Sequence, residues 1–184
     1  EWRVEKQRLR WDVLDAFAQA AQQAGIPERD DFNRGDNEGV GYFEVNQRAG
    51  VRWNATKAFL RPVEQRDNLQ VWTGAHIRRL LLAHRDDGGS WDGSRRAVGI
   101  EVLPQGGGAA IEARLADGGE VILATGAIGT PQILQLSGIG PAALLREHGI
   151  AVEHALAGVG ENLQDHLQIR AVFQVEGVTT LNTL

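Results

Sequence analysis

Five histidines, one Asp-His dipeptide and a long run of small residues are the features of this 184-residue chain that could do chemistry. Asp165 and His166 close the glycine-flanked stretch "GVGENLQDH", with Asn162 three residues before Asp165. An Asp-His pair on such a loop can bind a metal, act as acid and base, or hold a cofactor. A metal site lacks further ligands in the sequence. His76, His84, His148 and His154 make no helical i, i+4 pair and no His-x-His, and the chain has no cysteine. A hydrolytic triad lacks a G-x-S-x-G turn. By composition alone, a hydrogen-bonded structural loop stands beside the cofactor reading.

The second feature is "VILATGAIGTPQILQLSGIGP", residues 121–141. An apolar run ends in Ala124, Thr125 and Gly126, whose lack of bulk would let a nucleotide approach the main chain. The alternative is that small residues let a strand and a helix pack closely. Within this stretch "GIGPAA", 138–143, matches G-x-G-x-x-A. It is not a pyrophosphate fingerprint, because that turn follows a buried strand directly and opens a long helix. Here it follows a helical piece and contains Pro141.

The elements that must position these residues follow from periodicity. Residues 5–24 predict a helix, with Trp11, Leu14, Ala18 and Ala21 at 3–4 spacing and Val13, Phe17 and Ala20 widening the stripe. Gly25 is its stop, and core packing is the expectation for Trp11 and Phe17. Residues 28–39 read as a polar surface loop. A strand is expected through Tyr42, Phe43 and Val45, then a turn at Ala49-Gly50 and a short helix capped by Asn54 and stopped by Pro62. Segments 68–84, 96–103, 109–115 and 120–125 predict three or four antiparallel strands, separated by Asp-Gly-Gly or Gly-Gly-Gly turns. Thr130-Pro131 reads as a helix N-cap and first position, with Gly138 as the stop. A second helix runs from Gly140-Pro141 to Gly149, with His148 meeting the negative end of its dipole. The alternating "LQIRAVFQVEGV" predicts a closing strand.

Composition limits what these elements can serve. Hydrophobic content of 42% with 23 glycines suits a globular α/β protein. A formal net charge of −5 without a basic tract speaks against nucleic acid as a partner. No apolar run approaches the roughly 18–20 residues of a membrane-spanning helix. Zero cysteine excludes disulfides and thiolate chemistry, and is compatible with a reducing compartment, so the cytoplasm is the expected location. The chain starts at Glu1 and contains no methionine, which reads as an internal piece of a longer protein.

On these residues the chain resembles the glucose–methanol–choline (GMC) oxidoreductases. "GAIGTPQILQLSGIG", 126–140, fits the second signature of that family throughout. "DFN" at 31–33, "GVRWNATKAFLRP" at 50–62, "RDNLQVWTGAHIRRL" at 66–80 and "GVGENLQDH" at 158–166 follow the family's order and spacing. The choline-dehydrogenase-like branch is the most similar. The resemblance implies part of a Rossmann-like FAD-binding domain with an antiparallel β-meander, interleaved with part of a substrate domain. It assigns 66–166 to the FAD side, and 1–65 and 167–184 at least partly to the substrate side. It implies that Ile77, in "TGAHI", meets the adenine through its main chain and that Thr125-Gly126 lies beside the adenosine. Asn162, Asp165 and His166 are carried with them as cofactor-side residues. Here "ATGA" replaces the commoner "AAGA". The implied activity is oxidation of a small-molecule alcohol, choline-like or another primary alcohol, by hydride transfer to flavin. The alcohol and the electron acceptor are left open. An FAD-containing non-redox lyase and a non-catalytic remnant are the alternatives. The family's glycine-rich pyrophosphate turn, its first signature and its C-terminal His with a His/Asn partner do not occur in residues 1–184. No catalytic base is therefore expected within them.

Overall fold

The computed structural model describes residues 1–83 and 95–182. The chain forms two compact units, one of Glu1–Val71 with Ile169–Leu184 and one of Trp72–Gln168. The Asp-Gly-Gly turn expected at 87–89 and His84 lie outside the described residues.

In the first unit helix α1 spans Asp12–Gln23. It begins later than residue 5 because Glu5 exchanges backbone hydrogen bonds of 3.0 and 2.9 Å with Val45. Its end is the one expected. Gly25 takes φ +89°, and the amides of Ile26 and Gly25 bond the carbonyls of Ala21 and Gln22 at 3.0 Å each. That is a Schellman stop, which needs a residue at ease with positive φ. The apolar stripe is not core, contrary to expectation. No residue of α1 is buried, and Phe17 is 58% exposed. Trp11, Leu14 and Phe17 instead line an open apolar groove of about 850 Å³ with Val172, Phe173 and Val175.

The expected strands at either end of this unit do not form. Residues 40–45 make only isolated bridges, Val40 with Glu28 and Val45 with Glu5. The alternating segment after 167 is extended without a ladder, and Val172 is 92% exposed. Alternation sets which face is apolar, but a strand also needs a partner for its amides. The hairpin at Ala49-Gly50 is present. Strands β1, Gln47–Arg48, and β2, Val51–Arg52, are joined through φ values of 52° and 79°. Asn54 then caps one π-helical turn, Thr56–Leu60, its Oδ1 accepting the Lys57 amide at 3.0 Å. In the "DFN" turn, the Asn33 amide at 2.8 Å and then Arg34 hold the Asp31 carboxyl below its ordinary range.

The second unit is built on a meander in the order β3-β4-β5, with β3 Ala75–Ala83, β4 Arg96–Pro104 and β5 Ile111–Arg114. The Gly106-Gly107-Gly108 turn between β4 and β5 uses φ values of +99°, +92° and +125°, as the glycine run predicts. Ile77 pairs with Val102 and Arg79 with Glu101, so Arg78 is an extra residue on β3. This bulge brings two guanidinium groups to one carboxylate. Arg78 and Arg79 each donate to Glu101 at 2.9 Å, and Glu101 is only 7% exposed. The Arg79 hydrogen bond, followed by the charges of both arginines, outweighs desolvation and holds the Glu101 carboxyl below its usual range.

The fourth strand is absent. Val121–Ala124 is extended with no ladder, and Ile122 is 82% exposed. Helix α2 spans Gly126–Leu136, so it starts at Thr125 and not at Thr130. Pro131 lies inside it, leaving the Ala127 carbonyl without its i+4 amide donor. Ser137 ends the helix and Gly138 follows at φ +81°. A Cβ at Gly138 would also come within 2.5 Å of the Ala151 carbonyl oxygen, so glycine is required twice over. A short parallel pair, β6 Ile139–Gly140 with β7 His154–Ala155, brackets helix α3, Ala142–Glu147. Gly149 ends α3 at φ +68°, with His148 at its cap. Leu80, Leu81, Val102, Ile133, Leu145 and Val159 are the buried apolar residues that hold this unit. Leu145, at 1% exposed, is the deepest of them.

A buried hydroxyl bonds helix α2 to β3. Ser137 Oγ accepts the Leu80 amide at 2.8 Å and donates to the Ile133 carbonyl at 2.6 Å, both in buried surroundings. Ser137→Ala should therefore strand a buried amide and cost about 1–3 kcal/mol, read as a lower urea midpoint with unchanged slope. Because the folded-state value of Glu101 is depressed, its stabilisation is present above the unfolded carboxylate range. It is lost as pH falls through the folded value. Glu101→Gln should flatten the decline of stability with acid below about pH 4, measured by urea melts across pH.

Candidate functional site

All six residues singled out from the sequence, Ile77, Thr125, Gly126, Asn162, Asp165 and His166, lie in the Trp72–Gln168 unit. They sit on three pieces of backbone. Ile77 is half-buried in β3, opposite Val102. Its neighbour three residues on, Leu80, is the point where Ser137 holds α2. Thr125 and Gly126 form the exposed entry to α2. Asn162, Asp165 and His166 are exposed on the loop after β7.

The entry to α2 has an unusual construction. Thr125 occupies the N-cap position but makes no capping bond to the helix amides. Its own amide donates to Thr130 Oγ1 at 3.3 Å, and the two hydroxyls lie 3.0 Å apart. Gly126 takes φ +87°, a conformation that L side chains rarely adopt. Among the described residues, its own chain neighbours aside, no atom lies within 4 Å of where its Cβ would be, so no described strand packs against it there. What remains is an open turn, exposed to solvent, at the positive end of an 11-residue helix. Its first amides have no intrahelical acceptor. That surface leaves the main chain at Gly126 open to close approach.

The loop is tied to the same helix. Gln135, on α2, donates from Nε2 to the Val159 carbonyl at 3.1 Å, and Val159 is buried. A Cβ on Gly160, at φ +89°, would come within 2.8 Å of that Gln135 nitrogen. Asn162 adopts φ +56°, which asparagine tolerates better than most residues. Asp165 Oδ1 accepts the His166 backbone amide at 2.9 Å, which sets the carboxylate beside its own main chain. Among the described residues no group of three His, Cys, Asp or Glu side chains could hold a metal ion. The structure thus links β3, the C-terminal end of α2 and the loop through Ser137 and Gln135. It does not collect the six residues in one cavity. A cavity of about 190 Å³ in this unit is lined instead by Arg79, Leu82, Ser137, Ile150 and Glu153, among others.

Sequence reasoning missed the bonds made by three residues, Thr130, Gln135 and Ser137. Thr130 was legible as a polar residue near a helix start, but not as a partner reaching back to the true N-cap. Ser137, just before the Gly138 stop, carries a weak signal, since a hydroxyl there can bond the preceding turn. Its second bond, to Leu80, spans 57 positions and leaves no local trace.

No helix among the described residues is long and apolar enough to cross a membrane. Residues 3–168 match the family model described as GMC oxidoreductase. An alcohol dehydrogenase [acceptor] of Pseudomonas putida is 44% identical over 84% of this chain and 26% of its own length. An oxygen-dependent choline dehydrogenase of Photobacterium profundum is 40% identical over 93% of the chain and 28% of its own. A chloroplastic fatty acid photodecarboxylase of Chlamydomonas reinhardtii is 42% identical over 89% of the chain and 26% of its own. A solved structure of a fungal aryl-alcohol oxidase superposes with a TM-score of 0.75 at 30% identity, over 88% of this chain and 25% of that one. The chain therefore spans about a quarter of the length of the relatives it matches. Proteins of this family are generally flavin-dependent. With nine-tenths of its length inside the family match, the chain belongs to the GMC oxidoreductases.

Proposed function

We propose that this chain forms the adenosine-side wall of an FAD site in an oxidoreductase that oxidises a small-molecule alcohol. The observation that carries the reading is the Thr125-Gly126 turn. It is exposed, unobstructed and held at positive φ, inside the segment that matches the family. Thr125 and Gly126 would present main-chain groups to the nucleotide, and Ile77 would meet the adenine through its backbone. Asn162, Asp165 and His166 would contribute from the loop that Gln135 holds to α2.

Bound FAD supplies the hydride acceptor for alcohol oxidation. The residues of this chain hold and orient the nucleotide, and no acid–base role is assigned to any of them. His166 is exposed and follows a carboxylate that is bonded to backbone. The alcohol reading is favoured over a lyase by the names of the relatives. An alcohol dehydrogenase, a choline dehydrogenase and an aryl-alcohol oxidase stand beside one photodecarboxylase.

A full-length preparation should be yellow, release FAD on denaturation, and lose its flavin absorbance when a primary alcohol is added without oxygen. A colourless protein with no releasable flavin would remove the reading. A flavin band that no alcohol bleaches would remove its redox half. Gly126→Val should lower FAD affinity tens-fold or more, about 2 kcal/mol, because a branched side chain at positive φ both strains the turn and blocks approach. Equilibrium titration of the apoprotein with FAD reads this directly.

A further inference from the structure

We infer that Thr130 is a positioning residue for the cofactor wall, acting through Thr125 to hold the Gly126 turn open toward the nucleotide. The inference rests on the FAD reading above and deepens it. Three observations meet at this point of α2. Thr130 Oγ1 accepts the Thr125 amide at 3.3 Å, and it lies 3.0 Å from Thr125 Oγ1. A side chain from the helix thus satisfies the amide of the N-cap itself, the reverse of ordinary capping and the task a glutamate performs in a capping box. Gly129 supplies the clearance, since a Cβ there would stand 3.1 Å from both Cβ and Oγ1 of Thr125. Pro131 fixes the backbone immediately after Thr130.

The consequence concerns Gly126. With its φ at +87° and open space around it, packing against Gly126 does not select that conformation. The residue on its N-terminal side is held by Thr130, and the helix holds its C-terminal side. Without the Thr130 hydroxyl, Thr125 is free to rotate and glycine has many other conformations available. The turn then pays ordering entropy when the nucleotide binds, and affinity falls by that amount. Direct contact between Thr130 and the nucleotide is not required.

The test uses the full-length protein stripped of flavin, with Thr130→Val, which keeps the shape and removes the hydroxyl, and Thr130→Ser, which keeps the hydroxyl. Titration with FAD should show roughly a tenfold weaker Kd for Thr130→Val and a near wild-type Kd for Thr130→Ser. The melting temperature of the apoprotein should be the same in all three. Wild-type affinity in Thr130→Val overturns the inference while leaving the FAD reading intact. Equal loss in both variants, or an apoprotein melt that falls in step with affinity, also overturns it and makes Thr130 a packing residue. If wild type itself fails to bind FAD, the reading fails and the inference goes with it.

Discussion

One oxygen atom bonds strand β3 to helix α2 within the Trp72–Gln168 unit. Ser137 Oγ receives the Leu80 amide from the outer edge of β3 and gives its proton to the Ile133 carbonyl at the end of α2. Among the described residues strand β3 pairs with β4 alone, so its other edge needs an acceptor for any amide that is buried there. The hydroxyl meets that need and simultaneously ends the helix. Since β3 carries Ile77 and α2 carries Thr125 and Gly126, the same atom fixes the spacing between the two sides of the proposed nucleotide wall. Leu80 and Leu81 are both buried although they face opposite sides of the strand, which places this joint where β3 is covered on both faces.

The meander is shaped to make that joint possible. An extra residue on β3 at Arg78 is followed by an extra residue on β4 at Val98, between the Leu81–Gly99 and Leu82–Ala97 pairs. The two irregularities sit on opposite strands and offset each other, so the sheet bends without losing its register. The first would turn two cations toward one face, and Glu101 pairs with both of them there. Gly99 meets a different demand. A Cβ at that position would collide with the Ala113 carbonyl of β5, so the close approach of the third strand depends on it.

Much of this was legible locally. Gly25, Gly138 and Gly149 stop helices where the sequence places them, and Ala49-Gly50 and Gly106–Gly108 turn where tight hairpins need positive φ. Asn54 caps its helical turn as its type predicts. The failures share one cause, which is that pairing is not a local property. Residues 121–124 and 167–178 have strand composition, yet no strand within the described residues offers them a ladder, and Ile122 and Val172 stand in solvent. Phe17 and its stripe are apolar for the same unmet reason. The start of α2 was misread for a different one. Gly126 and Gly129 depress helix propensity across the first turn, so Thr130-Pro131 looked like the entrance. The hydroxyl of Thr130 in fact reaches back to the true one. Of the candidate site, the glycine turn and the loop were visible in the sequence, while Ser137, Gln135 and Thr130, which hold them, act across contacts that spacing does not display.

The relatives bear on what such a scaffold is for. By name they carry out different reactions, an alcohol dehydrogenation, a choline dehydrogenation and a fatty acid photodecarboxylation, yet their identities to this chain are 44%, 40% and 42%. A segment that determined the reaction would be expected to diverge most from the relative whose chemistry differs most. This one does not. Its likeness is indifferent to the bond that is broken, as befits a part serving something the reactions have in common. The nucleotide wall proposed above would be such a part, since holding an adenosine does not depend on which bond a reaction breaks. Fold and function can then be separated within one family. The turn at Gly126, the hydroxyl at Ser137 and the glutamine at position 135 are elements of the scaffold, and one scaffold can host different reactions.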